Sequence, residues 1–260
     1  MKIKNIALVG NPNCGKTSLF NTLTGTRQKV ANYAGVTVER KEGSFKLPSG
    51  DAVRVLDLPG TYSLKPSSLD EEVTRAVCLG ELKGEILPDI FICVVDATNL
   101  SLHLSLVLEV RALNRPMILV LNMMDEVKKR GISIDKDKLS QLLGIPVVEA
   151  VAVKTKGIQD LINQLDQKNL FITPYHSELS HFEQVKQITK QVILNNDNGD
   201  KRTAFLDKIF LHPVLGLVIL TLTMFVMFQA VFIWATPFIE FIENFVAWLS
   251  DFIGPLIQHP

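Results

Sequence analysis

The chain has 260 residues, 47% of them hydrophobic and 21% charged, with 27 basic residues balanced by 27 acidic ones. That length and apolar content suffice for one substantial domain and a smaller unit, while the neutral balance excludes the global basic field of a nucleic-acid binder. Its cysteines, Cys14, Cys78 and Cys93, are odd in number and lack metal-ligand spacing, which fits a reducing compartment better than a disulfide framework.

Met1 to Gly10 reads as a short strand-like run without a cleavage site, so no secretory signal is expected there. The first element is the apolar, β-branched run Ile6–Val9, which predicts a buried strand. It leads directly into Gly10-Asn11-Pro12-Asn13-Cys14-Gly15-Lys16-Thr17, then Ser18 and an apolar rhythm at Leu19, Phe20 and Leu23 that predicts a helix over Lys16–Leu23. This is GxxxxGK[ST] with a strand before it and a helix after it, the context a phosphate-binding loop requires. Backbone N–H groups from Asn13 to Thr17 would curl around a β-phosphate, aided by the positive end of the helix. Lys16 would bridge the β- and γ-phosphates and the Thr17 hydroxyl would bind Mg²⁺.

The stretch "NYAGVTVERKEG" brings Gly35, Val36 and Thr37. A threonine here can complete a Mg²⁺ shell only while a γ-phosphate is present, which would make the loop an order–disorder switch. Read in isolation, an edge-strand threonine fits the same residues. Thr37–Phe45 and Ala52–Leu56, joined through "KLPSG", predict a hairpin that adds one antiparallel edge strand to the sheet. At its end stand Asp57, Leu58, Pro59 and Gly60, a DxxG arrangement in which the carboxylate holds a Mg²⁺ water and the Gly60 N–H meets the γ-phosphate. Asp-x-Pro-Gly is also a common turn. Asp70, Glu71 and Glu72 open a predicted helix over Leu69–Leu82 as its charged first turn.

Strand Ile90–Val95, helix Leu100–Leu113 and strand Met117–Leu121 follow, the last ending in Asn122-Met123-Met124-Asp125. A carboxylate at that rim accepts both the ring N–H and the exocyclic amine of guanine, a donor pair adenine lacks. In this order and at these separations, the three motifs select GTP. Lys128, Lys129 and Arg130 read as a solvated loop before helix Lys136–Leu143. Strand Val147–Val153 leads into "VAVKTKG", where Ala152, Val153 and the Lys154 stem would cover the base, and helix Ile158–Leu165 closes the domain. Strands alternating with helices make an α/β fold with a mostly parallel sheet flanked by helices.

Composition shifts beyond residue 208. The 25 residues from Leu211 to Ala235 contain no Asp, Glu, Lys or Arg, against the ~20 apolar residues that cross a bilayer core. Trp234 near one end and Lys201, Arg202 and Lys208 before the other place the preceding domain in the cytoplasm. Afterwards Glu240, Glu243 and Asp251 punctuate apolar residues at helical spacing, predicting an amphipathic segment on the membrane surface or against other helices. The expected divisions are 1–166, a GTP-binding domain; 167–208, a short spacer with a helix along Leu179, Phe182, Val185, Ile188 and Val192; 209–235, a transmembrane helix; and 236–260, the amphipathic segment, with more membrane protein expected beyond. His103, His176, His181, His212 and His259 form no ligand cluster.

The order GNPNCGKT, GVTVE, DLPG and NMMD resembles the TrmE/Era class of GTPases. More narrowly, "GNPNCGKTSLFNTLTGTRQKVANYAGVTVERKEG" and "DLPGTYSL" resemble the cytoplasmic GTPase domain of the ferrous iron transporter B (FeoB) family, and "LDKIFLHPVLG" resembles the entry to its first membrane helix. The resemblance covers Lys4 to about Leu165 and resumes near Thr203. It implies a bacterial inner-membrane protein whose cytoplasmic domain binds GTP or GDP and hydrolyses GTP, slowly, in support of Fe²⁺ uptake. The iron is handled by the membrane portion, with a small cytosolic partner protein and homo-oligomers as further partners and no nucleic acid. Thr61 stands where Ras-like enzymes carry a water-orienting glutamine. The resemblance supplies a K⁺ ion instead, on the Asn13 side chain and the carbonyls of Ala31 and Tyr33, giving a catalytic set of Asn13, Lys16, Thr37 and Gly60. Two departures stand out: the spacer is short, and Ala152-Val153-Lys154 replaces a small hydroxyl residue. Cys14 occupies a place where Ser or Ala is common and reads as packing. A non-hydrolysing GTP-binding module and a soluble ribosome-associated GTPase are the alternative classes.

Overall fold

The computed structural model describes residues 3–25, 28–33, 35–150, 158–167, 179–195, 206 and 208–257. Two compact units emerge, Met1–Asn198 and Gly199–Pro260.

The first unit is built on a seven-stranded sheet: β1 (Asn5–Gly10), β2 (Gln28–Asn32), β3 (Glu39–Lys46), β4 (Ala52–Asp57), β5 (Ile90–Asp96), β6 (Met117–Asn122) and β8 (Val147–Glu149), in the order β2-β3-β4-β1-β5-β6-β8. From β4 to β8 every pairing is parallel, with β1 between β4 and β5. The expected hairpin is present, Phe45 opposite Val53 and Lys41 opposite Asp57. It carries a second antiparallel strand beyond it, because β2 pairs with β3 from Gln28↔Gly43 to Asn32↔Glu39. The sheet therefore has two antiparallel pairings where one was expected, and its edge is β2 and not the hairpin strand β3. All five β2 residues are exposed, so the strand carries no apolar alternation for a sequence reading to detect.

The period-2 alternation of the central strands divides the core into two layers. Ile6, Leu8, Ile90, Ile92, Ile118 and Val120 face one way, where α1 (Lys16–Thr24) contributes Leu19 and Phe20 and α6 (Gln159–Asp166) contributes Leu161 and Leu165. Ala7, Val9, Phe91, Cys93, Leu119 and Leu121 face the other way. That side is covered by α2 (Leu69–Leu79), α3 (Leu100–Ala112), α4 (Met124–Lys129) and α5 (Lys136–Leu143). Because both faces are covered, β5 and β6 are apolar without interruption, as buried parallel strands are.

A further helix, α7 (His181–Val192), starts at a capping box in which Ser180 and Glu183 satisfy one another's backbone N–H groups. It packs against α3 and α5, and the short strand after it, β9 (Ile193–Asn195), pairs antiparallel with β7 (Ser133–Ile134). Of the five apolar positions expected to form its buried stripe, Ile188 and Val192 join the core and Val185 is half-buried. Leu179 and Phe182 remain exposed, Phe182 at 77%.

The second unit is dominated by one helix. It runs from Leu215 to Gln229, passes through a π-helical turn at Ala230–Trp234, and continues from Ala235 to Ile257. The segments read as transmembrane and amphipathic are thus continuous. Pro237 accounts for the irregularity at their junction, since it has no N–H to bond the carbonyl four residues earlier and the turn before it widens. His212 caps the start, its Nδ1 accepting N–H bonds from Val214 and Leu215. The stretch Leu215–Ser250 is long and apolar enough to cross a membrane, 36 residues against the ~20 required, and none of its hydrophobic window is buried within the protein.

Candidate functional site

The site forms where β1, β4 and β6 end together. β1 terminates at Gly10, and a Cβ there would sit 2.5 Å from the Val94 carbonyl oxygen and 2.8 Å from Cys14 Sγ, so only glycine lets the strand turn. Asn13 takes a left-handed conformation with φ 62°, and Gly15 another with φ 87°. A Cβ on Gly15 would lie 2.1 Å from Asn122 Nδ2. That approach serves a purpose: Asn122, at the end of β6, donates from Nδ2 to the Cys14 carbonyl at 2.9 Å and ties the third motif to the first. Helix α1 begins at Lys16 with no side-chain cap and no acidic residue in its first turn, leaving its N–H groups and positive end for an anion.

Lys16 and Asp57 are both buried, with Lys16 Nζ 2.8 Å from Asp57 Oδ1. The Thr17 hydroxyl donates to Asp57 Oδ2 at 3.3 Å. One ammonium, one hydroxyl and one carboxylate thus converge, and Thr17 with Asp57 offers the hard oxygen donors that Mg²⁺ prefers. Lys16, Thr17, Asp57, Leu58, Pro59 and Gly60 line a cavity of about 250 Å³. Asn13 and Thr37 are exposed and outside that lining. Under the loop, Asn11 is 1% exposed, and neither its amide nitrogen nor its oxygen has a partner among the described residues. Cys14 is buried beside Gly10, and burial pushes its thiol up to about 11 despite the pull of Lys16. Its side chain belongs to the same buried cluster as Leu8, Leu19 and Phe20. Cys78 and Cys93 are also buried and unpaired, and burial raises Cys78 to about 12 and Cys93 well above 9.

The stretch holding Gly35, Val36 and Thr37 turns back on itself, the Tyr33 N–H donating to the Val38 carbonyl at 3.0 Å and the Val36 N–H to the Tyr33 carbonyl at 3.2 Å. Gly35 makes the turn with φ 83°. Tyr33 anchors it, 2% exposed and packed in the same cluster as Leu58, Val73 and Val77. Of the two carbonyls expected beside a K⁺ ion, that of Tyr33 is engaged within the turn, and Ala31 is paired with Arg40 in the sheet.

DxxG is held from several sides. The Leu58 N–H continues the ladder to the Leu8 carbonyl, and the Thr61 N–H donates to the Gly10 carbonyl at 3.2 Å. A Cβ on Gly60 would meet Pro12 at 3.1 Å, which makes this a close backbone approach. From α2, Thr74 Oγ1 donates to the Pro59 carbonyl at 2.9 Å. Thr61 itself is fully buried, its hydroxyl bonded to the Ser63 carbonyl at 2.6 Å and to Glu71 at 3.3 Å. Hydrogen bonds from Ser67 hold the Glu71 carboxyl below its ordinary value.

In the third motif, Met123 adopts φ 61° and heads α4, whose first turn holds buried Met124 and half-buried Asp125. Ala152, Val153 and Lys154 lie outside the described residues. Sequence reading passed over Val38, Glu39 and Lys41 and took Asp70 only as part of a helix's charged first turn, yet all four complete the cavity lining. For Lys41 the signal was available, since hairpin register sets it opposite Asp57. No cluster of His, Cys, Asp or Glu able to hold a metal occurs among the described residues.

Comparison with known proteins gives a consistent picture. The family model for ferrous iron transport protein B matches residues 4–165. The Fe(2+) transporter FeoB of Salmonella typhimurium is 46% identical over 188 residues, which make up 71% of this chain and 23% of that protein. The Escherichia coli K12 counterpart is 45% identical over the same length, so the chain spans about a quarter of the curated relatives it matches. Among solved structures, the cytosolic domain of Legionella pneumophila FeoB superposes with a TM-score of 0.67 at 32% identity, covering 74% of this chain and 100% of that one. The cytosolic domain of Thermotoga maritima FeoB in its GMPPNP form gives 0.62 at 33% identity, with the same coverage.

Proposed function

The chain belongs to the ferrous iron transport protein B family, and from that premise we propose that its N-terminal unit is a GTP-binding, GTP-hydrolysing switch that serves Fe²⁺ transport. The observation that carries this reading is the physical meeting of three motifs far apart in the chain. Lys16 and Thr17 contact Asp57, and Asn122 holds the Cys14 carbonyl.

In this reading, backbone N–H groups from Asn13 to Thr17, with Ser18 next in the helix, cradle the β-phosphate and Lys16 spans to the γ-phosphate. Gly60, seated on Pro12 between Pro59 and Thr61, presents its N–H to the γ-phosphate. Asp125 accepts from guanine, with Met123 and Met124 setting its height on α4 and Ala152, Val153 and Lys154 over the base. Thr17, Asp57 and Thr37 hold Mg²⁺, which when bound offsets charge on the phosphate oxygens. Thr37 reaches that position when the Tyr33–Val38 turn opens, which makes Gly35, Val36 and Thr37 the nucleotide-sensitive segment. Asn13 holds K⁺ with the carbonyls of Ala31 and Tyr33, and turnover is slow. The long apolar helix enters the lipid bilayer of the bacterial inner membrane, with the nucleotide unit on the cytoplasmic side. Fe²⁺ is substrate of the membrane portion, and a small cytosolic protein and further copies of the chain are its partners.

The test is GTP hydrolysis by the full chain in detergent, in matched K⁺ and Na⁺ buffers, with ATP as control and Asn13→Ala alongside. Hydrolysis of GTP alone, faster in K⁺ and made salt-insensitive by Asn13→Ala, is expected. Equal rates in the two salts overturn the K⁺ role, and equal rates on ATP overturn the base assignment.

A second reading, a GTP-binding module without significant turnover, draws on one observation. The residue after Gly60 is a fully buried threonine committed to Ser63 and Glu71, so no side chain at that position orients a water. Tight GTP binding with no phosphate release in either salt would establish it.

A further inference from the structure

The segment that follows Gly60 is fastened at a point that no motif marks. Glu109 lies on α3, some 46 positions away in sequence, and accepts the Ser63 hydroxyl at 2.9 Å on both carboxylate oxygens. It also accepts the Leu64 N–H. Ser63 Oγ in turn accepts the Lys65 N–H at 3.0 Å, and the Ser63 carbonyl accepts from Thr61 Oγ1. One carboxylate therefore gathers a strap of five residues, Thr61 to Lys65. Its foundation is firm, because Leu106, Val107, Leu108 and Val110 around it are all buried in the core. At its other end the strap begins beside Gly60, with Thr61 N–H on the Gly10 carbonyl and Gly60 against Pro12.

We propose that Glu109 is a positioning residue for GTP hydrolysis: acting from outside the nucleotide site, it fixes the Thr61–Lys65 strap and so keeps the Gly60 N–H seated against the phosphate loop. The inference rests on the GTPase reading above. A hydrogen-bonded carboxylate of this kind does not touch nucleotide, so its removal leaves ground-state binding in place. What is lost is the preorganisation of a donor needed as charge develops on the γ-phosphate.

The experiment is steady-state GTP hydrolysis by the full chain in detergent, comparing wild type, Glu109→Ala, Glu109→Gln, Ser63→Ala and the Ser63→Ala/Glu109→Ala double variant. Glu109→Ala is expected to lower kcat about tenfold while KM stays within about twofold, the pattern of a contact that matters in the transition state. Glu109→Gln keeps an oxygen for the Leu64 N–H and an amide for Ser63 Oγ, and restores most of the rate. The double variant is no slower than Glu109→Ala alone, because both changes break the same link. The inference is overturned if Glu109→Ala matches wild type. It is equally overturned if kcat, KM and thermal midpoint all worsen together and glutamine fails to rescue, which is the signature of a merely structural contact. A wild-type chain that releases no phosphate overturns the GTPase reading and this inference with it, whereas an active wild type with an insensitive Glu109→Ala overturns the inference alone.

Discussion

Replacing Gly15 with alanine isolates the geometry that ties the phosphate loop to the end of β6. Gly15 sits at φ 87°, where an L-residue is disfavoured by about 1–2 kcal/mol. The new methyl would also lie 2.1 Å from Asn122 Nδ2, well inside any tolerated contact, so the amide must swing away and release the Cys14 carbonyl it holds at 2.9 Å. Both groups are buried, and orphaning a buried hydrogen-bonding group costs about 1–3 kcal/mol. The total is about 2–5 kcal/mol, or roughly 30- to 4,000-fold in nucleotide affinity if the bound loop needs its present conformation. A fluorescent GDP analogue titrated into the full chain measures this directly, with circular dichroism as a check on folding. The decisive comparison uses an Asn122→Ala background. There the clash has no partner, and the alanine at position 15 should cost only the backbone strain, about 1–2 kcal/mol or roughly 5- to 30-fold. An equal penalty in both backgrounds would refute the assignment of the glycine to the Asn122 approach, as would unchanged affinity of Gly15→Ala in the wild type.

Two other predictions concern charge. Lys16→Met leaves the Asp57 carboxylate buried without its ammonium and should destabilise the nucleotide-free protein by about 3–5 kcal/mol in denaturant titration, with Lys16→Met/Asp57→Asn recovering much of the loss. His103, 5% exposed on α3, is held below the ordinary histidine value of 6.5 by burial. The unfolded chain takes up a proton near that value and the folded chain does not, so the stability His103 contributes is complete above pH 6.5 and falls as pH drops below it. The expected slope is at most about 1.4 kcal/mol per pH unit, measured by denaturation from pH 7.5 to 5, and His103→Leu should flatten it.

What could be read in advance follows from how locally each feature is encoded. β1, β5 and β6 announce themselves because strands buried on both faces are apolar without interruption, and the phosphate loop because its whole motif falls within eight consecutive residues, although the neighbours that demand its glycines, Val94 and Asn122, lie far along the chain. β2 could not be found: Gln28–Asn32 is fully exposed, and its pairing is dictated by the hairpin it joins rather than by its own side chains. The α7 stripe was half right for a related reason, since helical periodicity marks which face is apolar but not how far a neighbour extends along it. Glu109 holds residues 45 and 46 positions away, and Thr61 is buried against a carboxylate ten positions on, links that nothing in their local sequence distinguishes. The Pro237 that splits the long helix into two apolar patterns was visible, but its effect is a widened turn and not a break.

The three raised thiols give the protein a built-in set of clocks. A thiol reagent attacks the thiolate, so a cysteine that is buried and protonated reacts only during the moments when its surroundings open. Cys14 stands in the phosphate loop itself, Cys78 on α2, and Cys93 on β5, buried inside the sheet. Their labelling rates therefore time three different events in one molecule: lifting of the loop, detachment of the helix that follows DxxG, and unfolding of the whole domain.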